Sequence, residues 1–216
     1  MLDADALANR KIAKWAGREI DLAQPLVFDD HELLLTFDDG PTVSTKDNVE
    51  TLGKFGLTAV FFMIGHLADQ HPEIVRDTLA QGHVVGSHTA THADLRTLSI
   101  HAARREIDEG HAALIRASRP AAPAPFFRFP YLRDNAQLRR MVETLGLTIM
   151  DIDVDTRDWS RRYAWTNLYR SISRIEEGGR GIVLLHDVPV TRNALPAMLQ
   201  SLGARGFRFL RPVVGK

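Results

Sequence analysis

Short apolar runs alternate with longer amphipathic stretches along nearly the whole chain. Seven runs read as strands, at 33–37, 59–64, 83–86, 126–129, 148–154, 181–186 and 207–212. Several contain no polar position at all. Ala59-Val60-Phe61-Phe62-Met63-Ile64 is one, a pattern that suits parallel strands covered on both faces. Helical periodicity fills the gaps, at about 44–55, 70–81, 99–117, 134–145, 164–177 and 193–204. Ser44, Ser99, Asp134 and Asn193 stand where an N-cap oxygen would serve the free backbone N–H groups. Gly56, Gly82, Gly146, Gly178 and Gly206 stand where a left-handed residue would close a helix. Strand and helix in alternation predict an α/β fold with parallel strands. Functional-looking residues follow almost every strand, which suits a barrel better than an open sheet. Residues 117–125, rich in alanine and proline, read as a surface loop; no repeat or linker interrupts the rest.

The polar residues that end the apolar runs carry the chemistry. After Leu33-Leu34-Leu35 come Asp38 and Asp39, then Gly40-Pro41, a chain-reversal signal. Neighbouring carboxylates repel, so a shared proton or a metal ion would relieve the pair; a plain Asp-Asp-Gly-Pro turn also fits. After 83–86 come His88 and His92, spaced to meet on one helical turn or across a tight loop. Thr89 stands where a zincin would carry its general base, so a base must come from elsewhere, and the aspartate pair offers one. One Asp with two His is a recurrent zinc set that leaves a position open. Arg128 interrupts an apolar strand and calls for a carboxylate partner. Asp151, Asp153 and Asp155 alternate with apolar residues, giving one acidic strand face, and Trp159 beyond them suits either a core or a sugar-stacking platform. Finally Ile182-Val183-Leu184-Leu185 delivers His186, which an acidic neighbour would hold protonated for general-acid work.

Composition narrows the classes. The 216 residues suit a single domain with a substantial core. Basic and acidic residues balance at 27 each, which argues against bulk attraction to nucleic acid or an anionic membrane. No run has the length of a membrane-spanning helix, and Met1-Leu2-Asp3-Ala4-Asp5-Ala6 lacks the basic-then-apolar order of a signal peptide. A chain made without a leader would stay in the cytoplasm; one whose leader had been removed would act at a bacterial envelope or outside. Cysteine is absent, so a metal site must be built from histidine and carboxylate.

Five segments in this order resemble the polysaccharide deacetylases with a NodB homology domain, carbohydrate esterase family 4. They are Thr36–Asp39, His88–His92, Arg128–Tyr131, Asp155–Trp159 and Leu184–His186, matching Thr-Phe-Asp-Asp, His-[Ser/Thr]-x-x-His, Arg-x-Pro-Tyr, Asp-x-x-Asp-Trp and Leu-x-His. The likeness spans about residues 32–213. It implies a distorted (β/α)7 barrel, related to the TIM barrel, over 32–216, with 1–31 an N-terminal extension packed on it. It implies one divalent metal, zinc foremost and Co2+, Ni2+ or Mn2+ as alternatives, held by Asp39, His88 and His92. Asp38 would be the general base, Arg128 its holder and His186 the general acid. Asp158, ahead of Asp155, would pair with His186. Pro130, Tyr131, Trp159 and Leu184 would contact substrate, with the Tyr131 N–H at the oxyanion and Trp159 and Leu184 around the acetyl methyl. The implied substrate is an acetylated amino-sugar polymer or oligomer acted on by a monomer. Alternatives on the same fold are an O-acetyl xylan esterase and a small cyclic-amide hydrolase; a silent glycan-binding domain would have eroded motifs. Leu132-Arg133-Asp134 departs from the glycine and small polar residues that many members have there, which puts the groove rim in question.

Overall fold

The structure is a computed structural model that describes residues 15–159 and 164–215, with backbone alone for 164–168. Residues 1–14 of the expected N-terminal extension lie outside the described residues.

The strands are β1 (Ala16–Asp21), β2 (Glu32–Gly40), β3 (Val60–Met63), β4 (Val84–Ser87), β5 (Phe126–Phe127), β6 (Thr148–Ile149), β7 (Val154–Asp155), β8 (Gly181–His186) and β9 (Arg208–Val213). The helices are α1 (Val43–Lys54), α2 (Gly65–Gln70), α3 (Pro72–Ala80), α4 (Ile100–Ser118), α5 (Ala136–Thr144), α6 (Ala164–Gly178) and α7 (Pro189–Ala204). Every described strand pairing is parallel. From β2 the ladders run through β3, β4 and β5 to β6, while β8 returns to β2 on one side and takes β7 on the other. The circuit is the expected α/β barrel, distorted at one place. Residues 148–155 form two stubs rather than one strand: Met150 N–H donates to Phe127 O (2.9 Å), whereas Asp153 N–H donates to Ile182 O (2.9 Å). One extended segment therefore spans the gap between β5 and β8, its two ends laddered to different neighbours. No described helix is long and apolar enough to cross a membrane.

Side-chain alternation explains where the core sits. On β2, Leu33, Leu35 and Phe37 join Phe61, Val183 and Leu185 against the helix residues Val49, Leu52, Leu195 and Leu199. Leu34 faces the other way with Val60, Phe62, Phe126 and Ile182, in a cluster without helix residues, which is the barrel interior. Thr36 and Asp38 continue the Leu34 face; Leu184 and His186 continue that of Ile182. The inner faces of β2 and β8 are thus apolar below and polar at their C-terminal ends.

Several boundaries differ from the sequence reading. The helix expected at 70–81 is α3, which starts at Pro72, and a short helix not expected, α2, precedes it and ends at Gln70 before the His71–Pro72 break. α7 starts at Pro189, not near Asn193, because proline suits the first helical turn. α1 is capped by Thr42 rather than Ser44, and α5 by Asn135 rather than Asp134, while Ser99 caps α4 as expected. Gly179, not Gly178, takes the left-handed conformation after α6. β1 had no strand signal, since five of its six residues are not buried and it pairs only with β9. The acidic face of 151–155 is half-open to water: Asp151 pairs with Arg139 (2.7 Å) and Asp153 accepts from Ile182 N–H (2.7 Å).

Candidate active site

Asp38 and Asp39 are consecutive on a strand, so a regular pleat would send them to opposite faces. The β2–β3 register shifts between Asp38 and Gly40, and Asp39 takes φ 73°. This irregularity re-aims Asp39, and both carboxylates line one cleft. Gly40 is required there, because a Cβ would lie 2.4 Å from Asp187 Oδ2 and 2.7 Å from Thr45 Oγ1. Asp187, which the sequence reading left without a role, is buried and accepts from Thr45 Oγ1 (2.7 Å) and Asn48 Nδ2 (2.8 Å), while its N–H donates to Asp38 O (2.8 Å). Burial, helped by the charges of Asp38 and Asp39 and opposed by those two hydrogen bonds, pushes its pKa up to about 7.

The two histidines sit on a loop after β4, not on a helix. Thr89 (φ 68°) and His92 (φ 63°) are left-handed, and His92 N–H donates to Thr89 Oγ1 (3.0 Å). Gly110 of α4 lets this loop approach; a Cβ on it would be 2.4 Å from Thr89 C. His88 Nδ1 lies 2.8 Å from the Arg128 carbonyl, which accepts a hydrogen bond from Nδ1–H and leaves Nε2 bare toward the cleft. Burial lowers the His88 pKa to about 3, so its ring is neutral, as a ligand must be. His92 Nε2 is 3.2 Å and His88 Nε2 3.5 Å from Asp39 Oδ1. That oxygen is buried without a hydrogen-bond donor, and the ligand atoms of all three residues lie within 4.8 Å of one another. Lone pairs converging on one point with no proton between them are what a cation relieves. The expected zinc-type donor set fits this chain.

Beside it, Arg128 is 1% exposed and stacks on Phe62, with Cζ 4.2 Å from the ring centroid. Its Nη1 donates to Asp38 Oδ1 and to Thr36 Oγ1, both at 2.8 Å, and its Nε to Met150 O (3.1 Å). Thr36 was missed as a functional residue; a buried Thr on an otherwise apolar inner face was the signal. Burial raises the pKa of Asp38, against the opposing Arg128 charge.

Across the cleft, His186 Nδ1 meets Asp158 Oδ1 at 2.7 Å, and Asp158 Oδ2 accepts from the His186 N–H (2.8 Å) and from Thr191 Oγ1. Asp155 instead accepts from Arg157 N–H (2.8 Å) and lines the cleft. Burial works against a charged His186 ring. The Asp158 hydrogen bond and charge, with the charges of Asp38 and Asp39, outweigh it and push the pKa up to about 9.

The cleft holds about 410 Å³ and is also lined by Tyr131, Leu132, Arg133, Trp159 and Leu184. Tyr131 is 58% exposed with its ring 4.6 Å from that of His92, and Trp159 is 55% exposed, so Trp159 is no core residue. Pro130 is buried and starts the short 3-10 turn that carries Tyr131, without lining the cleft.

Known proteins resemble this chain in sequence and fold. The family model described as polysaccharide deacetylase matches residues 27–150. A chitooligosaccharide deacetylase of Rhizobium leguminosarum is 32% identical over 83% of this chain and 89% of its own length. A peptidoglycan-N-acetylglucosamine deacetylase of Listeria monocytogenes is 33% identical over 82% of this chain, which spans only 37% of that protein. Among solved structures, a family 4 carbohydrate esterase from Streptomyces lividans in complex with acetate superposes with a TM-score of 0.74 at 32% identity, covering 82% of this chain and 91% of that one. With the matched region running through the Asp38–Asp39 strand end, the histidine loop and Arg128, this chain belongs to the polysaccharide deacetylase family.

Proposed function

We propose that the chain is a metal-dependent hydrolase that removes N-acetyl groups from an N-acetylglucosamine-containing polysaccharide or oligosaccharide. One observation carries the reading. A base held by arginine, an Asp-His-His donor set and an acid held by aspartate all open on a single cleft.

Asp39, His88 and His92 would hold the divalent ion, zinc foremost. When bound, the ion supplies Lewis acidity, polarising a carbonyl oxygen and acidifying water. The remaining work falls to the chain. Asp38 takes a proton as water adds to the acetamide carbon, and Arg128 fixes the carboxylate in place for that transfer. The Tyr131 peptide N–H faces the developing oxyanion. His186, with Nδ1 occupied by Asp158, keeps its other nitrogen for the leaving group and protonates the amine as the C–N bond breaks. Acetate and a free amino sugar result. Leu184 and Trp159 enclose the acetyl methyl.

Acetate release from N-acetylglucosamine oligomers and from peptidoglycan, by metal-stripped protein reloaded with Zn2+, Co2+, Ni2+ or Mn2+, tests the reading. No release under any of these conditions overturns it. Comparison with an activated acetyl ester separates amide from ester chemistry. His186→Ala should depress amide cleavage strongly and ester cleavage much less, because an alkoxide leaves without full protonation.

A further inference from the structure

The cleft rim at Tyr131-Leu132-Arg133 is built on strained backbone. Tyr131 (φ 60°) and Leu132 (φ 53°) are consecutive left-handed residues, neither of them glycine, and Leu132 remains 41% exposed at the cleft. Such a conformation is unfavourable for residues with a Cβ and persists where surroundings or function require it. Its effect is to carry Arg133 into the cleft wall. Arg133 Nη1 donates to Asp94 Oδ2 (3.1 Å), its Cζ stands 5.9 Å from the Tyr131 ring centroid, and 55% of its side chain is open to solvent.

Charges around the cleft do not cancel at this point. Asp38 has Arg128, Asp158 has His186 and Asp155 has Arg157; Asp39 belongs to the donor set. Asp134, next along the chain, shares Arg139 with Asp151, and neither of these acids lines the cleft. Asp94 alone faces two cations, Arg133 and Arg96, at 3.1 and 3.6 Å. One positive charge is left over on an oriented, solvent-facing guanidinium, whose fork of N–H donors matches a carboxylate.

We infer that Arg133 is a specificity-determining residue that binds a carboxylate on the sugar next to the one deacetylated. The favoured substrate is then an anionic amino-sugar polymer, such as a peptidoglycan glycan strand stripped of its peptides so that the lactyl carboxylates are free, over a neutral or amidated oligomer. The inference rests on the deacetylase reading and deepens it.

The test is steady-state acetate release by the metal-loaded protein on three substrates: an oligomer of alternating N-acetylglucosamine and N-acetylmuramic acid with free lactyl carboxylates, the same oligomer with those carboxylates amidated, and neutral N-acetylglucosamine tetramer. The wild type should favour the first, and its KM there should rise with salt. Arg133→Gln should raise KM for the carboxylate oligomer about tenfold, the equivalent of one charge-assisted hydrogen bond, with kcat little changed. Its effect on the other two substrates should be far smaller, and Arg133→Lys should restore part of the preference. Equal treatment of carboxylate and amide oligomers by the wild type overturns the inference, as does an equal loss on all three substrates in Arg133→Gln. Silence of the wild type on all three overturns the deacetylase reading, and this one with it.

Discussion

Asp38 and Asp39 differ by one position and by everything around them. Asp38 has a buried arginine on its carboxylate, whereas Asp39 points a donorless oxygen at two imidazoles. The two substitutions should therefore separate. Asp38→Asn should retain the metal and the fold while losing about 10²–10⁴-fold in rate, the usual weight of a general base. Asp39→Asn and His88→Ala should lose metal, read by elemental analysis of protein purified without an affinity tag. The reverse pattern would exchange the roles. His186 is the residue for which pH gives the readout. Held to about 9 by Asp158, it carries its proton through neutral pH, so deacetylation should fall on the alkaline side. A bound dication repels the imidazolium and brings that limb lower. Asp158→Asn removes the raising partner and should move the limb acidward; an unmoved limb would mean that another group titrates there. Stability follows the same sign. A histidine whose pKa is raised on folding contributes fully below its unfolded value near 6.5, and the contribution is lost as pH rises through about 9. Urea unfolding of the wild type should weaken over that window more than that of Asp158→Asn.

Elements were legible where their signal was local. β8 lies where the sequence reading put it, because a glycine precedes an unbroken apolar run and polar residues follow. β1 was invisible because an edge strand with exposed residues has no period to detect. The break in 148–155 was hidden because its cause is remote: one end follows β5 and the other β8. The site divides in the same way. Asp38, Asp39, His88, Arg128 and His186 announced themselves as polar residues ending apolar strands. Asp187, Thr191 and the Arg133–Asp94 pair did not, since their partners lie 33–142 positions away and only the folded chain brings them together. The β2–α1 turn is a case with a measurable consequence. Gly40→Ala would force a methyl into Asp187 and Thr45 and should destabilise the protein by about 1–3 kcal/mol in denaturant titration, the usual effect of overpacking a tight site. A neutral result would show that Asp187 can move aside.

Across the whole molecule, metal and barrel should be coupled. An ion bound only by the folded form at 100 times its dissociation constant adds about 2.7 kcal/mol. For a chain of this length that corresponds to a rise of about 5–10 °C in Tm over the chelator-treated protein. An unchanged Tm in protein that demonstrably takes up metal would mean that the donors also bind it unfolded. Arg128→Ala should be costlier than either aspartate change, about 3–5 kcal/mol by urea titration, because it strands the buried Asp38 charge. Arg128 has a second attachment as well: its Nε holds the Met150 carbonyl, at the place where the ladder passes from β5 to β8. The guanidinium is thus a rivet through the loosest joint of the wall, with the proton acceptor fastened to its other end. Breathing at that joint would slacken Asp38 before any helix melts. In rising urea, deacetylation should fade while far-UV ellipticity is still native, with amide exchange at 150–155 outrunning that of β2 and β3. Simultaneous loss of activity and helix would mean that the joint opens only with the whole barrel.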